Sequence, residues 1–178
     1  GALVPVADAL RRAGPGARLL DLACGTGRFL AAIKDNWPRL AVLGVDLSAA
    51  YLAEARHRLR SRRQAALVLA PAEGLPLADA SIDVVTCIFL FHELPPGIRT
   101  RAAAEIARVL VPGGLAVLTV PLVEGWDETL EGAHLDPEMR RRQLGDPDHR
   151  RFYGRDFRAR LRAAGQVTRE KKAGEAGE

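Results

Sequence analysis

Three short stretches of this 178-residue chain carry groups suited to chemistry. In Asp21-Leu22-Ala23-Cys24-Gly25-Thr26-Gly27-Arg28-Phe29, two glycines stand where an apolar run gives way to a helical pattern. Glycines at such a turn let the backbone approach a ligand that a Cβ would exclude. A dinucleotide fingerprint wants a third glycine, and Leu30 occupies its place. That substitution argues against a nicotinamide or flavin cofactor. Asp46 ends the next apolar run, where an acid can accept both hydroxyls of a ribose. The plainer reading of Asp46, a helix N-terminal charge beside the cap Ser48, is weakened by the glycine loop that precedes it. The third stretch is Phe89-Leu90-Phe91-His92-Glu93-Leu94-Pro95. His92 is its candidate general base; the alternative is that His92 and Glu93 only fix the loop or cap the next helix.

These residues need elements to position them. Apolar runs at 18–23, 40–45, 66–70, 82–88 and 115–120 read as strands, the fourth and fifth near-continuous, as in strands buried on both faces. Helical patterns near 27–35, 48–62, 97–110 and 156–164 alternate with them, which predicts an α/β fold with a mostly parallel sheet. The helix at 97–110 is bracketed by Pro95-Pro96-Gly97 and Pro112-Gly113-Gly114, with Ile98, Ala102, Ile106, Val109 and Leu110 at core spacing. Residues 122–154 show no clear period and are expected to form an irregular functional cover.

Length predicts one domain, over 1–165, followed by a polar tail at 166–178. Apolar residues at 48% and charged residues at 27% are ordinary for a globular protein with a core. The net charge of +4 invites a nucleic-acid reading, but residues 124–165 hold nine arginines and nine acids and are locally neutral. Phosphate binding favours a one-sided basic stripe, so a nucleic-acid partner is not expected. The basic run Arg56-His57-Arg58-Leu59-Arg60-Ser61-Arg62-Arg63 reads as the solvated end of a helix. No membrane span or signal peptide is expected, and with Met139 the sole methionine the chain is expected to lack its initiator or upstream sequence. Two cysteines without metal-site spacing point to a reducing cytoplasm and no metal. Cys24 and Cys87 are expected at the ends of neighbouring strands, as small polarizable linings rather than a redox pair.

In order along the chain, Leu19-Leu20-Asp21-Leu22-Ala23-Cys24-Gly25-Thr26-Gly27, Leu43-Gly44-Val45-Asp46-Leu47-Ser48, Ala72-Glu73-Gly74-Leu75-Pro76-Leu77 with Ser81-Ile82-Asp83-Val84-Val85, and Arg108-Val109-Leu110-Val111-Pro112-Gly113-Gly114 make up four motifs. Together they resemble a class I S-adenosylmethionine-dependent methyltransferase of the small-molecule, methyltransferase type 11-like kind, over about residues 17–121. The resemblance implies a three-layer Rossmann-like sheet and S-adenosylmethionine as cofactor. It further implies that Asp21 meets the cofactor's ammonium, directly or through water, while amides of the loop with Ala23, Gly25 and Gly27 face its carboxylate. Asp46 would bind the ribose and Leu47 the adenine face, with Ala72, Glu73, Cys87 and Ile88 completing the cofactor-binding set. One departure stands out: the family often has an adenine-binding acid two positions before Glu73, and here that residue is Pro71. Adenine recognition then falls to the Ala72 backbone, Glu73 or a neighbour.

The implied chemistry is in-line methyl transfer to a small-molecule acceptor, with His92 as base where the acceptor must lose a proton. Thr86-Cys87-Ile88-Phe89 lacks the Asn/Asp-Pro-Pro-aromatic pattern of enzymes acting on adenine or glutamine amides. The stretch 145–157, with His149, Arg151 and Tyr153, resembles a segment before the last helix in some family members and either faces a substrate or is solvated. A non-catalytic cofactor-binding partner protein is the competing reading; a nicotinamide-dependent oxidoreductase is a weaker third. The last expectation concerns the sheet edge. The family fold ends in two further strands, whereas 166–169 offers material for one at most. The edge strand at 115–120 is therefore expected to be covered locally or paired in a homodimer.

Overall fold

The computed structural model describes residues 2–123, 125–132, 136–144, 151–157 and 159. It divides into two compact units, a larger one of Ala2–Ile88 with Pro96–Thr119, and a smaller one built on Phe89–Pro95 and the chain from Val120 onward. The expected boundary at 165/166, the helix at 156–164 beyond its first residues, and the strand at 166–169 lie outside the described residues.

The larger unit contains α1 (Leu3–Ala13), β1 (Arg18–Leu22), α2 (Arg28–Asn36), β2 (Ala41–Asp46), α3 (Ala49–Leu59), β3 (Ala65–Leu69), β4 (Ile82–Ile88), α4 (Pro96–Val109) and β5 (Leu110–Thr119). Its five strands form one sheet in the order β3-β2-β1-β4-β5, and every neighbouring pair is parallel. Leu19, Leu20, Leu22, Val45, Val84 and Val85 are fully or almost fully buried at its centre. Helices flank this sheet: α2 packs on β2 and α3, α3 on β2 and β3, α4 on β5. Successive strands run outward in one direction from β1 to β3 and in the other from β4 to β5. The carboxyl ends of β1 and β4 are therefore a topological switch point, where open α/β sheets bind ligands.

Two elements differ from the sequence expectation. Helix α1 was not expected; it buries Val6, Ala9 and Leu10 along one face and packs on β4 and β5. Pro5 lies in its first turn, where a missing N–H costs nothing. Strand β5 starts at Leu110 rather than 115, because Leu110 pairs with Ile82 and Leu115 with Val84, and the residues between them bulge out. Gly114 permits that bulge, since a Cβ there would stand 2.9 Å from the Val111 carbonyl oxygen and 3.1 Å from that of Asp83. On its outer side β5 pairs with no strand among the described residues.

In the smaller unit, β6 (Leu130–Glu131) and β7 (Arg151–Phe152) form an antiparallel pair, with α5 (Pro137–Leu144) between them in the chain. The region expected to be irregular is thus partly built. Tyr153 extends the pairing, donating to the Pro121 carbonyl and accepting from the Val123 amide, each at 3.1 Å. Arg151 pairs with Glu131 and lies 5.3 Å from the centre of the Tyr153 ring, which in turn meets Phe157 edge-on.

Candidate functional site

All ten residues expected around a cofactor belong to the larger unit, and the sheet register brings most of them to one end of it. Strand β1 ends at Leu22, beside Val45 of β2 and Cys87 of β4. The chain then turns through Ala23 and Gly25 at φ 58° and 53° before Gly27, at φ 72°, opens α2. A left-handed alanine is uncommon, and such strain concentrates at ligand-binding turns. Gly27 has a second reason to lack a side chain: a Cβ there would lie 3.0 Å from the Ala55 Cβ and 3.2 Å from its Cα, where α3 passes.

Asp46 organises the neighbouring tip. One carboxylate oxygen accepts from the Gly25 amide and the other from the Ser48 amide, both at 2.8 Å. Ser48 caps α3 by accepting from the Tyr51 amide at 3.2 Å, as its position suggested. The cap and the loop latch thus coexist at one carboxylate. A carboxylate has about four lone-pair sites, so each oxygen keeps one for a further donor. Beyond Asp46 the surface turns apolar, with Leu47 73% exposed, Leu69 57% exposed and Tyr51 exposed. Leu69 is the register partner of Asp46.

Asp21 lies beneath the loop, only 2% exposed. Thr86, its register partner on β4, donates a 2.6 Å hydrogen bond to its carboxylate. Burial pushes the carboxyl up to about 7; the Thr86 bond opposes the rise and the nearby charge of Asp46 adds to it. Cys24, also buried, has its thiol pushed up to about 12 by burial first and then by Asp21 and Asp46. It is held as the neutral thiol, which speaks against the redox-pair alternative.

Ala72 and Glu73 occupy the middle of a turn closed by the Gly74 amide on the Pro71 carbonyl at 3.2 Å, and the Ala70 amide ties the start of this segment to the Asp46 carbonyl at 3.1 Å. Ile88 closes β4. Four contributors escaped sequence reasoning. Thr86 supports Asp21. Arg58, within the run read as merely solvated, donates to the Thr26 carbonyl at 2.9 Å and steadies the glycine loop. Arg108 and Glu105 grip the segment carrying Ala72 and Glu73. A lone hydroxyl in the apolar run 82–88 was the available signal for Thr86; for the arginines the sequence holds none.

His92 belongs to the smaller unit and is 2% exposed. It sits in a turn closed by the Glu93 amide on the Leu90 carbonyl at 3.0 Å. Its Nε2 lies 3.6 Å from Glu93 Oε1, and the Phe89 ring meets its imidazole edge-on at 6.1 Å between centroids. Phe89, 56% exposed, is held at φ 57°, a strained conformation for an aromatic residue. Tyr153 is buried and Arg151 half-buried in the same unit, while His149 lies outside the described residues. Among the described residues no group of acids, histidines and cysteines could hold a metal, and no helix is long and apolar enough to cross a membrane.

Comparison with known proteins agrees with this geometry. Residues 19–114, more than half of the chain, match the family described as a methyltransferase domain. A malonyl-[acyl-carrier protein] O-methyltransferase of Xylella fastidiosa is 31% identical over 138 residues, covering 72% of this chain and 45% of the relative. A demethylmenaquinone methyltransferase of Deinococcus radiodurans is 38% identical over 105 residues, covering 57% of this chain and 42% of the relative. The chain thus spans less than half the length of either. Among solved structures, an S-adenosylmethionine-bound amino pentose methyltransferase from Micromonospora echinaspora is 36% identical, with a TM-score of 0.53, covering 65% of this chain and 48% of that one. The chain belongs to the class I S-adenosylmethionine-dependent methyltransferases.

Proposed function

We propose that this chain binds S-adenosylmethionine at the carboxyl ends of β1, β2, β3 and β4 and transfers its methyl group to a small-molecule acceptor. The observation that carries the reading is Asp46, fixed by two backbone amides at the strand tip with lone pairs left for a diol. Around it the residues fit the rest of the cofactor. The apolar faces of Leu47 and Leu69 suit an adenine ring, and Asp21 supplies a carboxylate to balance an ammonium. The start of α2 beside the glycine loop favours a carboxylate. Ala23, Gly25, Gly27, Cys87 and Ile88 line the strand ends between these groups.

Bound there, the cofactor supplies an electrophilic methyl on a sulfonium. The chain's part is to hold the acceptor's lone pair in line with that methyl. His92, whose Nε2 lies 3.6 Å from Glu93 Oε1, takes the acceptor's proton where the acceptor has one to lose. Relatives named for malonyl-[acyl-carrier protein] and demethylmenaquinone support a small or carrier-borne acceptor. Cytoplasmic placement accords with two cysteines that remain free thiols.

Thermal unfolding with adenosylhomocysteine tests the cofactor half of the proposal. A ligand that binds only the folded state stabilises it by about 2.7 kcal/mol at a hundredfold excess over its Kd. The melting temperature is expected to rise with adenosylhomocysteine and stay put with NAD; no rise at millimolar adenosylhomocysteine would overturn the reading. The catalytic half rests on His92. With an acceptor found by screening, His92→Asn is expected to lower turnover by about a hundredfold or more, with adenosylhomocysteine affinity within about twofold of wild type. Wild-type turnover in that variant would leave positioning as the whole mechanism. Cofactor binding without transfer to any acceptor would favour the non-catalytic partner protein.

A further inference from the structure

The segment joining β3 to β4 has little regular structure, yet Arg108 of α4 gives it three of its five donors and turns the other two to Glu105 of the same helix. Arg108 Nε donates to Glu105 Oε1 at 2.7 Å. Nη1 donates to the Leu77 carbonyl and to Asp79 Oδ1, both at 2.7 Å. Nη2 donates to the Leu75 carbonyl at 3.0 Å and to Glu105 Oε2 at 2.8 Å. A guanidinium has five N–H donors in a fixed plane, and these contacts account for all of them. Glu105 completes the grip by accepting from the Leu75 amide at 2.7 Å. The guanidinium and that amide hold its carboxyl down to about 2, so it stays charged throughout the physiological range. Further along, the Ala80 amide donates to the Arg108 carbonyl at 2.9 Å and the Ser81 amide to the Val109 carbonyl at 2.8 Å.

The far side of the segment is fixed as well. Leu75 is buried, and Ala70 is tied to the Asp46 carbonyl. Between those anchors lies the turn at 71–74, with Ala72 and Glu73 at its centre. Pro71 offers no side-chain acceptor for the exocyclic amino group of an adenine, and as proline it has no N–H of its own. Reading the base edge then depends on where the turn places its backbone, and backbone reads a base well only when it is held still.

We propose that Arg108 and Glu105 are positioning residues for base recognition: they lock the turn at 71–74 so that its backbone reads the adenine edge in place of a side-chain acid. The inference rests on the cofactor reading above. A lysine at 108 keeps the charge but has three donors in no fixed plane, so it cannot grip Leu75, Leu77, Asp79 and Glu105 together.

The test compares two ligands by calorimetry on the full chain: adenosylhomocysteine and its inosyl counterpart, in which the 6-amino group is replaced by oxygen. Wild type is expected to prefer the adenosyl ligand by about tenfold or more, equivalent to about 1.4 kcal/mol. In Arg108→Lys that preference is expected to shrink severalfold toward parity, with faster amide exchange at Gly74 and Leu75. Glu105→Gln, which keeps an acceptor for Leu75 but loses the ion pair, is read in the same way and carries the test if Arg108→Lys does not fold. A grip that served only stability would lower both affinities alike. An unchanged ratio in the folded variant therefore overturns the inference while leaving the cofactor reading intact. Failure of wild type to bind adenosylhomocysteine overturns both.

Discussion

Replacing Asp46 with alanine is expected to weaken adenosylhomocysteine binding by about 30- to 1,000-fold, or roughly 2–4 kcal/mol. Each hydrogen bond to a charged acceptor contributes about 1.5–3 kcal/mol, and water in the vacated space recovers part of the loss. The structure adds a second cost. Asp46 also receives the Gly25 and Ser48 amides, so the variant frees the glycine loop and removes a partner from the start of α3. A ligand lacking the ribose hydroxyls separates the two effects. In wild type, removal of the 2′-hydroxyl from adenosylhomocysteine should weaken binding; in Asp46→Ala it should cost little more, because the acceptor has already gone. If the deoxy ligand is penalised equally in both proteins, Asp46 is a loop latch and the ribose is held elsewhere.

How much of this could be read from the sequence follows from where each interaction lies in the chain. The parallel sheet was legible because a strand buried on both faces leaves a near-continuous apolar run, as at Ile82–Ile88. The places of Gly25, Gly27 and Asp46 were legible because a left-handed turn after a strand and an acid at a strand tip each constrain residue type locally. Helix α1 was not legible: Pro5 breaks its pattern, Ala2 provides no capping side chain, and its apolar face gains meaning only against β4 and β5. The start of β5 was misplaced because Pro112-Gly113-Gly114 signals a turn, whereas the structure makes a bulge within a strand that has already begun at Leu110. The basic run at 56–63 looked uniform, yet Arg58 holds the glycine loop, and Arg62 pairs with Asp35 while donating to the Arg58 carbonyl. The bonds from Thr86 to Asp21 and from Arg108 to residues 75–79 join positions far apart in the chain. No local pattern announces such partners; only the fold selects them.

Asp21 is expected to make cofactor binding depend on pH, with a sign that follows from its burial. Its carboxyl sits near 7 in the folded chain against an ordinary value of 3.8. Folding therefore takes up a proton between those values, and stability from this group is fully present below the lower one. It is lost as pH rises through the higher, at a cost on the order of 4 kcal/mol for a displacement of this size. An ammonium nearby reverses the preference, since it favours the ionised carboxylate and expels the proton on binding. The affinity for adenosylhomocysteine is thus expected to rise with pH, by up to about tenfold per unit below the carboxyl's value and flattening above it. Calorimetry in buffers of different ionisation enthalpy should show release of a fraction of a proton near neutrality. Asp21→Asn provides the contrast. An amide can still accept from Thr86 but carries no charge, so the variant should be more stable than wild type at alkaline pH. It should also bind adenosylhomocysteine more weakly, with no pH slope between about 6 and 7.5. Thr86→Val should push the carboxyl higher still, because its only lowering influence is gone, and move the rise in affinity to more alkaline pH. A flat affinity profile in wild type, or an unaltered slope in Asp21→Asn, would show that the buried acid holds up the loop without meeting the ammonium.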